Sequence, residues 1–266
     1  MSELVTAHLE EGLGIVTLRR AEKRNAINDV VLEQLRGGLL RLEADPAARV
    51  ILLRAEGPCF SGGIDFGWLA GAAQPGADAE GVRLRQLVRS IQGTLGLLET
   101  IEKPSIALIH GYCAGLGLEL VLPCDFRIAT EDALLGVPEI YLGLVPDCGG
   151  TTRLVRLVGA ARAKQLILLG DTVTAAEAER MNLVHEVVAP ADLEAAGRRL
   201  AARLLARPAA ALGLAKRLID VGQDLDRGTH QALEGLVQSV LVTSPNLPGH
   251  LAQGMAALRR PVKGAE

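Results

Sequence analysis

Residues 105–124 constrain the fold of this chain more than any other segment. The run is almost entirely apolar, yet it contains glycines, His110 and Glu119, and it follows directly on Pro104. A bilayer-spanning helix seldom carries a carboxylate at mid-depth. We therefore predict a buried strand, a glycine turn and a buried helix. The glutamate inside that helix then requires an explanation.

The rest of the chain alternates short β patterns with helical ones. The order of these patterns predicts an α/β core followed by a helical cap. Strands are predicted at residues 14–18, 49–55, 105–109, 126–129, 134–136 and 185–188, and helices at 28–44, 80–102, 117–122 and over most of the chain after 151. A small, polar surface loop is predicted at 71–78. Since aromatic residues make up only 2% of the chain, aliphatic side chains must fill the core.

Composition excludes several classes of function. The net charge of −3 and the lack of a basic stripe argue against nucleic-acid binding. The amino terminus carries acids and no apolar h-region, which predicts a cytoplasmic protein rather than an exported one. The 4 cysteines form no CxxC pair and the 5 histidines have no ligand spacing, so neither a disulfide nor a metal site is predicted.

Three segments place polar or conformationally special residues in apolar surroundings. Residues 61–65 contain two adjacent glycines, which allow close approach to a ligand, although for this segment alone a plain turn is the better explanation. In residues 111–120 a glycine turn leads into the helix that carries Glu119, whose burial would raise its pKa toward the range useful for proton transfer. A structural glutamate paired with an arginine is the alternative. Residues 138–147 add two acids, Glu139 and Asp147.

Together these segments resemble one family. Residues 53–69, 104–125 and 135–153 are similar to the signature segments of the enoyl-CoA hydratase/isomerase (crotonase) superfamily. Residues 23–28 and 169–188 are similar to further segments of that family, in the same order. The resemblance covers nearly the whole chain.

The resemblance implies a fold and an assembly. We expect a crotonase-like spiral of ββα repeats over residues 1–198, with the active site, and a C-terminal helical oligomerisation region over 199–266. It implies a homotrimer or a dimer of trimers. It also implies an acyl-CoA substrate and no separate cofactor, because coenzyme A is part of the substrate.

The resemblance also assigns site residues. Glu119 and Glu139 match the two glutamates that hold a water molecule in hydratases. The backbone N–H groups of Ile64 and Leu116 match the oxyanion hole that holds the thioester carbonyl and the enolate formed from it. The positions matching coenzyme A contacts are Lys23, Arg24, Ala26, Gly62, Gly63 and Asp65.

Asp147 departs from the hydratase pattern and leaves an alternative open. Hydratases usually carry a small residue there, whereas dienoyl-CoA isomerases carry an acid that works with the equivalent of Glu139. An enoyl-CoA or dienoyl-CoA isomerase is therefore the alternative to a hydratase that adds water to a 2-enoyl-CoA. A non-catalytic acyl-CoA binding protein is a more remote alternative. Such a protein would be expected to lack one of the three acids, and this chain has all of them. A hydrolase would need a nucleophile such as Ser61, but the sequence around Ser61 is not the G-x-S-x-G turn of such enzymes.

Overall fold

The computed structural model describes residues 3–72 and 81–258. Of the predicted surface loop at 71–78, residues 73–78 lie outside this range. In chain order the helices and strands are β1 (Val5–Glu10), β2 (Leu13–Leu18), α1 (Asp29–Ala44), β3 (Val50–Ala55), α2 (Phe66–Ala72), α3 (Val82–Thr100), β4 (Ser105–Ile109), β5 (Tyr112–Ala114), α4 (Leu116–Val121), β6 (Phe126–Thr130), β7 (Leu134–Gly136), α5 (Gly150–Leu169), β8 (Val173–Thr174), α6 (Ala175–Arg180), β9 (Glu186–Val188), α7 (Leu193–Leu205), α8 (Ala209–Gly222), α9 (Arg227–Val242) and α10 (Leu247–Leu258).

A six-stranded sheet with the order β1-β2-β3-β4-β6-β9 forms the centre of the molecule. β1 pairs with β2 antiparallel, and the remaining neighbours pair parallel. Successive side chains alternate between its two faces, and both faces are buried. In β3, for example, Leu52 joins the apolar cluster on one face and Leu53 the cluster on the other. Burial on both faces explains why these strands are continuously apolar in sequence.

Helices cover both faces of this sheet. α7 packs on β3, β4 and β6, where Ala196 and Ala201 complete the smaller apolar cluster. α1 packs on the opposite side, and its N-cap is Asn28, whose side chain accepts a hydrogen bond from the Val31 N–H. The sheet therefore lies between helical layers, as predicted for an α/β core.

A second, three-stranded sheet, β5-β7-β8, lies beside the first. Ser61 extends it by a bridge to Cys113. The chain thus repeats one pattern three times: a strand of the large sheet, a strand or bridge of the small one, then a helix. The three repeats are β3–Ser61–α2, β4–β5–α4 and β6–β7–α5. This is the predicted spiral of ββα units.

The C-terminal helices extend beyond the core and expose apolar side chains. Ile219 on α8, Leu236 on α9 and Leu251 on α10 are 68%, 63% and 55% exposed. Residue 198, the predicted end of the core, falls inside α7, which packs on the sheet along its length. The next helix, α8, packs on α3, where its buried Lys216 forms an ion pair with Asp125. No described helix is long and apolar enough to cross a membrane.

Candidate active site

The turn at residues 23–26 is fastened to the loop that follows β3. Arg24 and Asn25 both adopt left-handed backbone conformations, with φ of 52° and 51°. The buried Asn25 side chain donates to the carbonyl oxygens of Glu56 and Cys59. In return, the Ser61 hydroxyl donates to the Asn25 carbonyl over 2.8 Å. The two segments therefore form one rigid wall.

A groove of about 340 Å³ opens along this wall. Most of the residues that sequence similarity matched to coenzyme A contacts line it. They are Lys23, Arg24, Ala26, Gly62 and Asp65, joined by Ile64, Phe66 and Gly67. Gly63 is buried behind the groove and is absent from its lining. The exposed Lys23 and Arg24 give the groove two cationic side chains, which suit a phosphorylated ligand.

Asp65 has a structural task at the end of this groove. Its carboxylate forms an ion pair with Arg20 at 2.7 Å and accepts hydrogen bonds from the Gly67 and Trp68 N–H groups. These contacts lower the pKa of Asp65, the Arg20 hydrogen bond being the main cause. Asp65 thus starts α2 and fixes the wall in place.

Two backbone N–H groups face the interior of the site. Ile27 bonds to the residues on either side of Ile64, so the Ile64 N–H points away from Ile27. Leu116 is the first residue of α4, so no carbonyl oxygen of a preceding helical turn accepts a hydrogen bond from its N–H. Among the described residues, neither N–H has a hydrogen-bond acceptor. Two free donors on adjacent segments can hold one polarised oxygen atom.

Glycines bring the Ile64 and Leu116 segments together. Gly63 has a φ of 98°, and a Cβ there would lie 2.8 Å from the Ala114 carbonyl oxygen and 3.6 Å from the Leu116 nitrogen. A Cβ at Gly117 would lie 2.7 Å from that of Ser61. Side chains at these two positions would force the donors apart.

Glu119 lies in α4 and is only 2% exposed. Its Oε1 accepts two hydrogen bonds of 2.8 Å, from the N–H groups of Cys148 and Gly150. The pKa of this carboxyl is raised to about 7, with burial as the main cause; the two N–H groups oppose the rise, and the charges of Glu139 and Asp147 contribute to it. The predicted rise in the pKa of Glu119 is confirmed. The alternative of an arginine pair is wrong, because the partners of Glu119 are backbone N–H groups.

Glu139 lies in the short 3-10 helix Pro138–Leu142 and is half-buried. Its Oε2 is buried and has no hydrogen-bond partner among the described residues. Its Oε1 lies against Gly115, where a Cβ would approach it to 2.9 Å. Burial and the nearby Asp147 charge raise the pKa of Glu139. This carboxyl therefore favours its protonated form more than an exposed one does, and one of its oxygens can still accept a hydrogen bond.

Asp147 is exposed at the edge of the same cluster. Its carboxylate, the Glu119 carboxylate and the Cys148 sulfur offer atoms that all lie within 4.8 Å of one another. These three groups could reach one metal ion. However, burial holds the pKa of the Cys148 thiol far above its usual range, and Glu119 Oε1 already accepts two N–H groups. A metal ion would need that thiol as a thiolate, so we assign no metal here.

Sequence reasoning placed the acids but missed the donors to Glu119. The Cys148 and Gly150 N–H groups belong to a loop about 30 residues after Glu119. The available signal was Gly150 itself, where a Cβ would lie 2.7 Å from Glu119 Oε1. A glycine pair directly before a long helix marks a place where the backbone approaches another group.

Ser61 has no catalytic geometry. Its hydroxyl donates to the Asn25 carbonyl and accepts from the Gly63 N–H, so it braces the wall of the groove. His110 follows β4, is partly exposed and bonds to the Gly57 carbonyl. Its hydrogen bond to that carbonyl satisfies the ring, and it lies just beyond the end of β4. These contacts remove the basis for a serine hydrolase.

A larger cavity of about 590 Å³ lies elsewhere, between α8, α5 and the end of α3. Ion pairs such as Lys216–Asp125 occupy part of its polar wall. None of the sequence-predicted site residues lines it. Size therefore does not identify the active site here, whereas the cluster of perturbed carboxyls and free N–H groups does.

The chain is similar to proteins of one family in sequence and in structure. The family model described as Enoyl-CoA hydratase/isomerase matches residues 8–243. The crotonyl-CoA hydratase of Syntrophomonas wolfei is 34% identical over 228 residues, 85% of each chain. The crystal structure of an enoyl-CoA hydratase from Bacillus anthracis superposes with a TM-score of 0.87 at 31% identity, covering 99% of this chain and 100% of that one.

A further solved structure carries a ligand. A Thermobifida fusca protein crystallised in complex with CoA is 36% identical and superposes with a TM-score of 0.80, over 90% of this chain and 93% of that one. The chain belongs to the enoyl-CoA hydratase/isomerase family.

Proposed function

We propose that this protein is an enoyl-CoA hydratase, which adds water across the double bond of a 2-enoyl-CoA thioester. The observation that carries the proposal is the pairing of two carboxyls with raised pKa values. Glu119 is fixed by two N–H groups, and one buried oxygen of Glu139 has no hydrogen-bond partner within residues 3–72 and 81–258. Relatives named as hydratases support the reaction class.

The geometry suggests how each group takes part. The N–H groups of Ile64 and Leu116 hold the thioester oxygen, and removing one such donor typically costs about 3 kcal/mol of transition-state stabilisation. The ionised Glu119 takes a proton from water as the water oxygen bonds to C3. The electron pair of the C2–C3 double bond then forms a double bond between C1 and C2, and the carbonyl pair moves onto the thioester oxygen, which gives an enolate. Glu139 donates its own proton to C2 as the carbonyl reforms, and the proton held by Glu119 then passes to Glu139, so one water molecule has been added in total and both carboxyls are restored.

The groove beside Ile64 is the proposed site for coenzyme A. Its lining offers the exposed cations Lys23 and Arg24 to the phosphates, and it ends beside the two free N–H groups. The Thermobifida fusca relative with bound CoA supports this ligand. The proposed reaction uses no metal ion and no separate cofactor, because coenzyme A enters and leaves as part of the substrate.

The test is turnover of crotonyl-CoA, followed by loss of the absorbance of the conjugated enoyl thioester. We expect rapid loss with the parent protein and almost none with Glu119→Gln. Binding of CoA without any turnover would refute the hydratase proposal and favour a non-catalytic acyl-CoA binding protein.

Isomerisation is retained as a second candidate because of Asp147. Its carboxylate lies within 4.8 Å of the Glu119 carboxylate, and its charge raises the pKa of Glu139. Glu139 and Asp147 could therefore move a proton along a conjugated acyl chain. Turnover of 3-enoyl-CoA or dienoyl-CoA, in the absence of crotonyl-CoA hydration, would establish this activity instead.

We also propose that the chain forms a homotrimer, or a dimer of trimers, in the cytoplasm. The exposed apolar side chains of α8, α9 and α10 support association, since a monomer would leave them in water. Sedimentation of the purified protein tests the assembly, and cell fractionation tests the location. A monomer at micromolar concentration would contradict the first of these predictions.

A further inference from the structure

One peptide group connects α3 to Glu119. The Gln92 side chain on α3 donates a hydrogen bond of 2.7 Å to the Asp147 carbonyl oxygen. That carbonyl belongs to the same peptide group as the Cys148 N–H, which donates to Glu119 Oε1 over 2.8 Å. In a trans peptide the C=O and N–H point in opposite directions. The peptide between Asp147 and Cys148 is thus held by Gln92 on one side and bonds to Glu119 on the other.

An arginine holds the next peptide group. The guanidinium of Arg153 donates to the Cys148 carbonyl oxygen over 3.1 Å. It also forms two hydrogen bonds, of 2.7 and 2.6 Å, with the carboxylate of Glu99 on α3. Gly149, with a φ of 101°, leaves room for this guanidinium, because a Cβ there would collide with it.

Both contacts originate on one face of α3. Gln92 and Glu99 are seven residues apart, close to two helical turns, so they project from the same side of the helix. Gln92 reaches the Asp147 carbonyl directly, and Glu99 reaches the Cys148 carbonyl through Arg153. Two successive carbonyls of the loop are therefore fastened to the same helix.

We propose that α3 positions the catalytic Glu119 through this loop, with Gln92 and the Glu99–Arg153 pair as positioning residues. They hold residues 147–150 so that the Cys148 and Gly150 N–H groups meet Glu119 Oε1. The inference rests on the proposed hydratase function for the role of Glu119. It adds a set of residues that affect the reaction without contacting the substrate.

Gln92 and the Glu99–Arg153 pair together affect the ionisation of Glu119. The groups that act most strongly on the pKa of this carboxyl, besides burial, are the charges of Glu139 and Asp147 and the N–H groups of Cys148 and Gly150. The two N–H groups thus favour the ionised form against burial and like charge. A loosened loop weakens both donors, so a smaller fraction of Glu119 is ionised at neutral pH. The acidic limb of the turnover profile must then move to higher pH.

The first test is Gln92→Leu, which removes the donor while nearly keeping the volume of the side chain. We expect turnover at neutral pH to fall about three- to tenfold, the effect of one hydrogen bond, with KM unchanged. The loss should recover as the pH is raised. Gln86→Leu, at an exposed position on the same helix, is the matched control and should behave like the parent. A Gln92→Leu profile that coincides with that of the parent overturns the inference.

The second test is Arg153→Leu, compared with Arg156→Leu, which breaks only the more exposed pair with Asp224. Only Arg153→Leu should displace the acidic limb. If this variant does not fold, Glu99→Gln weakens the same pair and should displace the limb in the same direction. If Glu99→Gln and the parent have the same pH dependence of turnover, the Glu99–Arg153 pair does not help to position Glu119.

A titration of Glu119 that needs no turnover separates this inference from the proposed function. The carboxyl band is isolated by infrared difference spectroscopy between each protein and its Glu119→Gln form. Gln92→Leu should shift the titration to higher pH even if crotonyl-CoA is not the substrate. An unshifted titration in an active hydratase would refute the positioning role alone.

Discussion

Glu119 and Glu139 lie in two regions of one site that differ in how completely the protein holds them. Glu119 is 2% exposed, and Oε1 accepts two N–H groups from a loop that is itself fastened to α3. Glu139 lies in a short 3-10 helix whose neighbours are open to solvent, with Tyr141 68% and Val145 60% exposed. Its Oε2 has no partner in the described part of the chain.

The difference shows which half of the site is complete before substrate arrives. The protein itself provides the hydrogen bonds of Glu119, so that carboxyl needs no reorganisation during the reaction. The free oxygen of Glu139 is left for a group that the protein does not provide. Under the proposed function that group is the water molecule or the acyl-CoA.

Replacing Glu119 should have the largest effect. Glu119→Gln removes the proposed base while keeping an oxygen for the Cys148 and Gly150 N–H groups. We expect crotonyl-CoA turnover to fall about 10³-fold, within the range for loss of general acid–base catalysis. Steady-state kinetics measures the change, and an unaltered circular dichroism spectrum shows that the fold is intact. Near-parent turnover would exclude Glu119 as a catalytic residue.

Glu139→Gln should come next, with a loss of about 10²-fold. The amide cannot donate a proton as an acid does, but it can still hydrogen-bond to water in the same place. The contrast between the two regions further predicts weaker binding of a substrate analogue to Glu139→Gln, measured by calorimetry. A variant that binds and turns over like the parent would remove Glu139 from the mechanism.

The third prediction concerns stability and its dependence on pH. The folded protein raises the pKa of Glu119 from 4.5 to about 7, so between these values the folded state binds the proton more tightly than the unfolded state. The free energy of unfolding therefore decreases as the pH rises through this window. Glu119→Gln cannot ionise, so above neutral pH it should be more stable than the parent by about 1–3 kcal/mol.

Urea unfolding at a series of pH values measures this difference. The two proteins should be closest in stability at acidic pH and should diverge as the pH rises. Curves that remain parallel would show that the protein does not perturb Glu119. Glu139→Gln should show a weaker divergence, because Glu139 is less buried.

The smallest effect is expected for Asp147→Asn. This exposed acid raises the pKa of both glutamates by its charge, so its removal should lower both. Hydration should change by only about threefold, the scale of a screened charge interaction. Any isomerisation of dienoyl-CoA should disappear. A large loss of hydration would instead place Asp147 among the residues essential for that reaction.

Local patterns in the sequence predicted most of the fold. The strand predicted at 49–55 is Val50–Ala55, and the helix predicted at 28–44 is Asp29–Ala44 with Asn28 as its cap. Val5–Glu10 was missed because it is an edge strand that pairs with β2 and exposes much of its length. Tyr112–Ala114 was missed because its three residues pair with distant β7 and resemble a turn locally.

The sequence predicts those features of the site that depend on residues close together in the chain or on similarity to the family. The burial of Glu119 follows from the apolar helix around it, and sequence similarity placed Glu139 and Asp147 nearby. The contacts of Gln92 and Arg153 join segments more than 50 residues apart. No pattern within either segment reveals such contacts, because each side chain reads as an ordinary polar residue of a helix.

The order of the strands in the large sheet has a consequence for folding during synthesis on the ribosome. From β1 to β9 each strand lies beside the strand of that sheet made just before it. No finished pair has to open to admit a later strand, so the sheet can grow at one edge as the chain emerges. That growing edge remains unpaired until β9 has been made, and it is the surface that a chaperone would have to shield.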